Sequence, residues 1–101
     1  MNKEASGMLG ILNRGGMIAF GPSVLGAMKK GHLLLLASDA SPRSKKELLS
    51  NAENAGVEVL FVPSKEELGL PLGRDELSAV LILSKKGASS VKEKLMKGAS
   101  K

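Results

Sequence analysis

Cysteine is absent from the 101-residue sequence, and histidine occurs only once, at His32. The chain can therefore form neither a disulfide framework nor a zinc site made of thiolates. A metal site with several histidines is excluded as well, and a catalytic pair that needs histidine depends on His32 alone. We expect His32 to be a surface or strand-edge residue. The lack of cysteine fits a reducing, cytoplasmic setting.

Aromatic side chains are nearly absent: the chain has Phe20 and Phe61 but no tryptophan or tyrosine. Proteins that bind single-stranded nucleic acid usually stack the bases on aromatic side chains. If this chain binds RNA, we therefore expect it to contact the shape and backbone of the RNA rather than stacked bases.

Long hydrophobic runs are missing too. A helix that crosses a membrane needs about 20 apolar residues, and the longest run here, LLLLA at 33–37, has the length of a strand. The first residues, MNKEASGMLGILNRGG, contain no long apolar stretch before a small-residue cleavage site. We predict neither a membrane span nor a signal peptide.

Motifs of common enzymes are also missing. The chain contains no G-x-x-x-x-G-K-[ST], no G-x-G-x-x-G after a strand, no H-E-x-x-H and no G-x-S-x-G. We predict no catalytic residue, no metal site, no cofactor and no small-molecule substrate. Asp39 follows a predicted buried strand, where open α/β sheets bind ligands. It either faces a ligand or caps the loop that follows.

The net charge is +5, and the positive surplus lies towards the two ends of the chain. Residues 84–101 carry six lysines against one acid, whereas residues 35–83 carry five basic and eight acidic residues. A basic protein favours nucleic acid or another anionic surface as its partner. A lysine-rich, solvated helix and tail is the alternative explanation.

Helical and strand patterns alternate along the chain in the order α-β-α-β-α-β-α-β-α. The predicted helices are 2–14, 22–30, 42–55, a short one capped by Ser64, and 87–97. The predicted strands are 17–20, 33–37, 57–62 and 79–83. Two of the strands do not alternate apolar with polar residues, which predicts that they are buried on both faces. The pattern predicts an α/β fold, a three-layer α/β/α sandwich with a mixed sheet of about four strands. We expect one domain over 1–101, with a disordered lysine-rich tail at 98–101.

The stretch FGPSVLGAMKKGH at 20–32 is the strongest candidate for a binding segment. Gly21 has no Cβ, so the backbone there can approach a ligand closely. Pro22 suits the first position of a helix. Ser23 and Val24 would then present free backbone N–H groups, which can hold a phosphate.

Lys29 and Lys30 follow about two turns along the same predicted helix, or about 9–11 Å. At that distance they would reach a second phosphate rather than the first. A capped helix with lysines at its C-terminus explains the same residues without any ligand.

Several longer stretches carry a family resemblance: LGILNRGGMIAFGPSVLGAMKKG, LLLLASDASPRSKKEL, VEVLFVPSKEELGLPLGRDELSAVLIL and SKKG. The most specific pieces are LLLLASDAS before a basic helix and S-K-E-E-L-G…L-G-R before an apolar strand. In their order and spacing, from 8 to 97, they resemble the ribosomal protein L7Ae/L30e/Gadd superfamily, and most closely its small bacterial YlxQ-like branch. The resemblance implies an α/β/α sandwich that is not an enzyme and that binds kink-turn RNA, a sharply bent helix with tandem sheared G·A pairs.

The resemblance also implies which residues contact RNA. Family members use the turn and helix start after the first strand, a basic residue later in that helix, and the loop before the last strand. In this sequence the turn and helix start are Gly21, Pro22, Ser23 and Val24, the basic residue is Lys29 or Lys30, and the loop is Gly73, Arg74, Asp75 and Glu76, with Asp39 nearby.

The helix start departs from the family pattern. Strong kink-turn binders carry Asn-Glu there, followed by a lysine, whereas this chain reads Pro-Ser-Val, with Gly26 and Ala27 where the lysine would be. The asparagine and glutamate address guanines of the G·A pairs, and a good contact to a base is worth about 1–3 kcal/mol. We therefore expect weaker binding, mostly through phosphates and strongly dependent on salt.

The main hypothesis is a monomeric, non-enzymatic RNA-binding protein of the ribosome or translation machinery. The alternative is a protein-interaction module that keeps the fold and has lost specific RNA binding. That alternative predicts an exposed apolar patch, whose expected members are Val24, Leu70, Leu72 and Leu77. A nucleotide-binding domain of the open-sheet type, a third possibility, rests on Asp39 and the fold alone.

Overall fold

Four strands form one mixed sheet in the computed structural model, which describes residues 2–99. They are β1 (Ile18–Phe20), β2 (Leu33–Ala37), β3 (Glu58–Val62) and β4 (Ala79–Ile82). Their order across the sheet is β1-β4-β2-β3. β2 and β3 are parallel, whereas β4 runs antiparallel to both of its neighbours. The prediction of a small mixed sheet is confirmed.

Helices cover both faces of the sheet. They are α1 (Lys3–Arg14), α2 (Ser23–Ala27), α3 (Pro42–Ala55), α4 (Lys65–Gly69) and α5 (Lys85–Ala99), with 3₁₀ turns at Met28–Lys30 and Leu70–Leu72. α1 packs on α5 and on the turn that follows α4, and α3 packs on the turn that follows α2. The result is the predicted three-layer α/β/α sandwich. Within the described part of the chain, no helix is long and apolar enough to cross a membrane.

The two central strands hold the core. Every residue of β2 and of β4 is buried, because helices cover both faces and strands flank both sides. The edge strand β3 differs, since Glu58 and Phe61 are exposed. The prediction that two strands are buried on both faces is confirmed, and the uninterrupted apolar runs are its cause.

The predicted helix 22–30 is wrong in two details. Pro22 lies before the first helical residue rather than at it, and the α-helix ends at Ala27, after which Met28–Lys30 form a 3₁₀ turn. A 3₁₀ helix rises about 2.0 Å per residue against 1.5 Å for an α-helix. The greater rise helps this short segment carry the chain from the end of β1 back to the start of β2.

The last helix begins earlier than predicted. α5 begins at Lys85 because Ser84 caps it: the Ser84 Oγ accepts a hydrogen bond of 3.0 Å from the Gly87 N–H. At the other end, Gly98 and Ala99 belong to α5. The rest of the predicted tail, residues 100–101, lies outside the described residues.

Strand direction gives the sheet two distinct ends. At the carboxyl edge, where β1, β2 and β3 end and β4 begins, the Ala37 N–H donates to the Ser78 carbonyl at 2.8 Å. At the amino edge, where β1, β2 and β3 begin and β4 ends, the His32 N–H donates to the Ile82 carbonyl at 2.8 Å. Each loop of the chain can be assigned to one of these edges.

Candidate nucleic-acid interface

The turn after β1 lies at the carboxyl edge. Gly21 has a φ of 64°, a left-handed conformation that favours glycine. The Val24 N–H donates to the Gly21 carbonyl at 3.2 Å. The predicted free amide at Val24 is therefore wrong, and its side chain belongs to the core with 2% exposure. Pro22 and Ser23 are exposed and form the outer surface of the turn.

The loop before β4 lies at the same edge. Gly73 has a φ of 72°, and the Arg74 N–H donates to the Gly69 carbonyl at 3.0 Å. Residues 73–76 are all exposed. The loop thus has a fixed backbone path and presents its side chains to solvent.

One contact joins the turn to the loop. The Arg74 guanidinium carbon lies 4.8 Å from the centre of the Phe20 ring, at the end of β1. A guanidinium over an aromatic face is attracted by the ring quadrupole. The contact fixes Arg74 beside the turn that begins at Gly21. The structure therefore brings together two of the three segments that the resemblance implied.

A cleft of about 340 Å³ opens between the turn, the loop and the start of α3. Its lining residues are Gly21, Pro22, Val24, Leu25, Ser44, Glu47, Leu48, Glu76, Leu77, Ser78 and Ala79. The volume falls within the range of small-ligand sites, about 300–1,000 Å³. Apolar side chains and two carboxylates share the wall, so the cleft suits an uncharged flat group better than a phosphate.

Asp39 lies at the carboxyl edge and caps a neighbouring segment. Its Oδ1 accepts a hydrogen bond of 2.8 Å from the Lys65 N–H, at the start of α4. The side chain is exposed, yet this bond ties the loop after β2 to the loop after β3. The sequence predicted a cap on the loop that follows Asp39, whereas the bond observed caps the start of α4.

Replacing Asp39 with alanine is expected to lower the free energy of unfolding by about 1 kcal/mol, as for other lost helix caps. Asp39→Asn keeps an acceptor oxygen and should retain most of the stability. Urea unfolding of both variants measures the difference. Equal loss in the two variants would show that the negative charge, rather than the hydrogen bond, matters.

Lys29 and Lys30 lie apart from this cluster. The 3₁₀ turn that contains them leads directly into β2, and His32 bonds to the end of β4 at the amino edge. Both lysines are exposed. The turn at Gly21 and these lysines are therefore at opposite edges of the sheet, and the structure does not combine them into one site.

Basic residues at the start of α3 were missed as candidates by sequence reasoning. Arg43, Lys45 and Lys46 occupy the first turns of α3, beside the cleft. The Lys45 Nζ donates to the Ser38 carbonyl at 2.8 Å, whereas Arg43 and Lys46 are exposed along one shallow groove. Cations at a helix N-terminus oppose the helix dipole. That local conflict is the sequence signal that could have identified them.

The carboxyl edge carries mixed charge. The half-buried Lys65 forms an ion pair of 3.7 Å with the exposed Glu76, and a pair of this kind at the surface contributes little. Among the described residues, no group of three histidine or acidic side chains could hold a metal ion.

The apolar patch expected of a protein-interaction module is absent at the four positions predicted for it. Val24 and Leu72 are buried with 2% and 8% exposure, and Leu77 is half-buried. Leu70 alone of the four is well exposed. That prediction is wrong because the apolar residues of the turn and the loop pack inwards.

The chain belongs to the ribosomal protein L7Ae/L30e/S12e/Gadd45 family, whose profile matches residues 24–93. Its fold is similar to that of a protein of unknown function from Bacillus halodurans, with a TM-score of 0.83 and 22% sequence identity. The similarity covers 91% of this chain and 96% of the other. At that identity it shows a shared fold. No curated protein sequence matches this chain significantly.

Proposed function

We propose that this protein binds structured RNA without catalysing a reaction, as a component of the ribosome or translation machinery. Family membership supports an RNA partner. The observation that carries the proposal is that the turn after β1 and the end of the loop before β4 line one cleft, while Arg74 of that loop contacts Phe20 next to the turn. A cytoplasmic monomer of the YlxQ-like branch is part of the same proposal.

Phosphates are bound at the rim of the cleft. Arg43 and Lys46 are exposed on α3, which lines one wall of the cleft, and Arg74 is exposed on the loop whose end lines another wall. A guanidinium can hold a phosphate through two parallel hydrogen bonds. These contacts position the RNA and carry no sequence information.

The shape of the RNA is recognised between the two sides of the cleft. The turn at Gly21 presents little side-chain bulk, so an RNA backbone can come close to it. The Ser23 hydroxyl can both donate and accept a hydrogen bond, which replaces part of what the family's asparagine and glutamate provide. A bent RNA contacts the turn, the loop and α3 together, whereas a straight duplex reaches fewer of them.

A titration against two RNAs tests this function. One is a kink-turn, and the other is the same duplex with its G·A pairs changed to Watson–Crick pairs. At about 0.1 M salt, we expect the kink-turn to bind tenfold more tightly or better, a difference of about 1.4 kcal/mol. Equal affinity would contradict recognition of the bend, and no binding to either RNA would contradict the RNA-binding function itself.

A further inference from the structure

A second basic surface lies at the amino edge of the sheet, away from the cleft. We call this surface the lysine edge. Its members are Lys29, Lys30, Lys85 and Lys86, all of them exposed. Lys29 and Lys30 precede β2, and Lys85 and Lys86 follow β4. Lys30 and Lys85 are 55 residues apart in sequence. The strands next to them, β2 and β4, are direct neighbours in the sheet.

One groove lies between the start of β2 and the start of α5, next to the two halves of the lysine edge. His32, Lys85 and Lys92 line one groove of about 280 Å³, so the start of β2 and the start of α5 share a surface. Lys92 forms an ion pair of 2.8 Å with Glu58 there. Arg14, at the end of α1, is exposed at the same edge.

The charge of the lysine edge is not balanced locally. No ion pair is observed for any of these four lysines, all of which belong to the described residues. By contrast, the carboxyl edge mixes its arginines and lysines with carboxylates such as Glu47 and Glu76. Unneutralised positive charge at a surface attracts polyanions.

The two edges are electrostatically separate. The five residues of β2 span about 16 Å at roughly 3.3 Å each, whereas the screening length is about 10 Å at 0.1 M salt. RNA held in the cleft therefore leaves the lysine edge largely unneutralised, and another stretch of phosphates can bind there.

We propose that the lysine edge binds the phosphate backbone of a second RNA segment, so that the protein joins two segments. The inference rests on the proposed function for the cleft. Lysine ammonium groups are compact, hydrated charges that bind phosphates as points rather than through a planar fork. Binding at this edge is consequently independent of sequence and strongly dependent on salt.

Two paired variants test the lysine edge, Lys29→Ala/Lys30→Ala and Lys85→Ala/Lys86→Ala. The probe is a fluorescent straight RNA duplex without G·A pairs. Each pair should weaken duplex binding about tenfold and reduce the slope of log K against log salt by about 1.8, or 0.9 for each lost phosphate contact. The affinity for kink-turn RNA should change by less than about threefold, because that RNA binds at the other edge.

The matched control is Lys3→Glu, which lowers the net charge by the same two units at the far end of α1. This variant should bind the duplex within about twofold of the wild type, because Lys3 lies farther from the lysine edge than the screening length. Urea unfolding confirms that all three variants are folded. Equal weakening by the control and by the paired variants would overturn the proposal.

A bridging assay separates this inference from the proposed function. Wild-type protein bound to an immobilised kink-turn should capture the fluorescent duplex, and the paired variants should not. Release of the protein from the immobilised kink-turn by the duplex would mean a single site and would sink the lysine edge. Duplex binding without kink-turn preference would leave the lysine edge intact and contradict the function proposed for the cleft. Binding to phosphatidylserine vesicles but not to the duplex would also overturn the proposal for the lysine edge.

Discussion

Gly69→Ala is expected to lower the free energy of unfolding by about 1–3 kcal/mol, the usual cost of overpacking. A Cβ at Gly69 would lie 2.8 Å from the Glu76 Cα and 2.9 Å from the Glu76 N. These are backbone atoms, so no side-chain rotation relieves the clash. Gly69 has a φ of −78°, which any residue adopts, and the effect therefore comes from packing alone.

The same substitution is expected to weaken RNA binding. Relief of the clash requires the 73–76 loop to move, and the Arg74 N–H bonds to the Gly69 carbonyl itself. Arg74 would then lose its position over Phe20, with a loss of kink-turn affinity of about tenfold. Fluorescence titration of the folded fraction measures it.

Gly7→Ala provides the control for Gly69→Ala. Gly7 lies inside α1, and a Cβ there would meet nothing within 4 Å. Alanine in an exposed helix interior should raise the free energy of unfolding by about 1 kcal/mol. The two glycine-to-alanine substitutions are thus expected to change the free energy of unfolding in opposite directions. Urea unfolding of both variants measures these changes. An unchanged stability for Gly69→Ala would mean that the loop adapts without cost.

The fold was predictable because local and tertiary preferences agree. The apolar runs at 33–37 and 79–83 can be satisfied only in the middle of a covered sheet. Ser41 and Ser64 accept hydrogen bonds from the Ser44 and Glu67 N–H groups, as their spacing indicated. Each of these features is encoded within a few neighbouring residues.

The composition of the site was harder to predict, because it depends on where the crossing segments end. Counting along a helix placed Lys29 two turns from Gly21, but the segment carries it to the other edge of the sheet. Arg43 is distant in sequence from Gly21, yet the start of α3 meets the turn at the cleft. Strand order and direction decide both outcomes, and neither is visible in local spacing.

Arg43→Ala/Arg74→Ala is expected to weaken kink-turn binding more than about 100-fold at low salt, because each hydrogen-bonded charge contributes about 1.5–3 kcal/mol. Both side chains are exposed, so stability should fall by about 1 kcal/mol or less, the worth of the contact with Phe20. Arg74→Lys keeps the charge without the planar guanidinium, and an intermediate affinity would show that geometry matters as well as charge.

Comparison with the lysine edge makes this double variant decisive. Lys29→Ala/Lys30→Ala makes the same change in net charge at the other edge of the sheet and should bind kink-turn RNA within about threefold of the wild type, since charge there is screened from the cleft. The arginine variant should lose kink-turn affinity while retaining most of its affinity for the straight duplex, and the lysine variants should do the reverse. If the arginine variant instead binds the kink-turn as well as Lys29→Ala/Lys30→Ala does, the cleft is not the RNA surface. The opposed losses would arise only if two separate surfaces, one at each edge of the sheet, bind RNA independently.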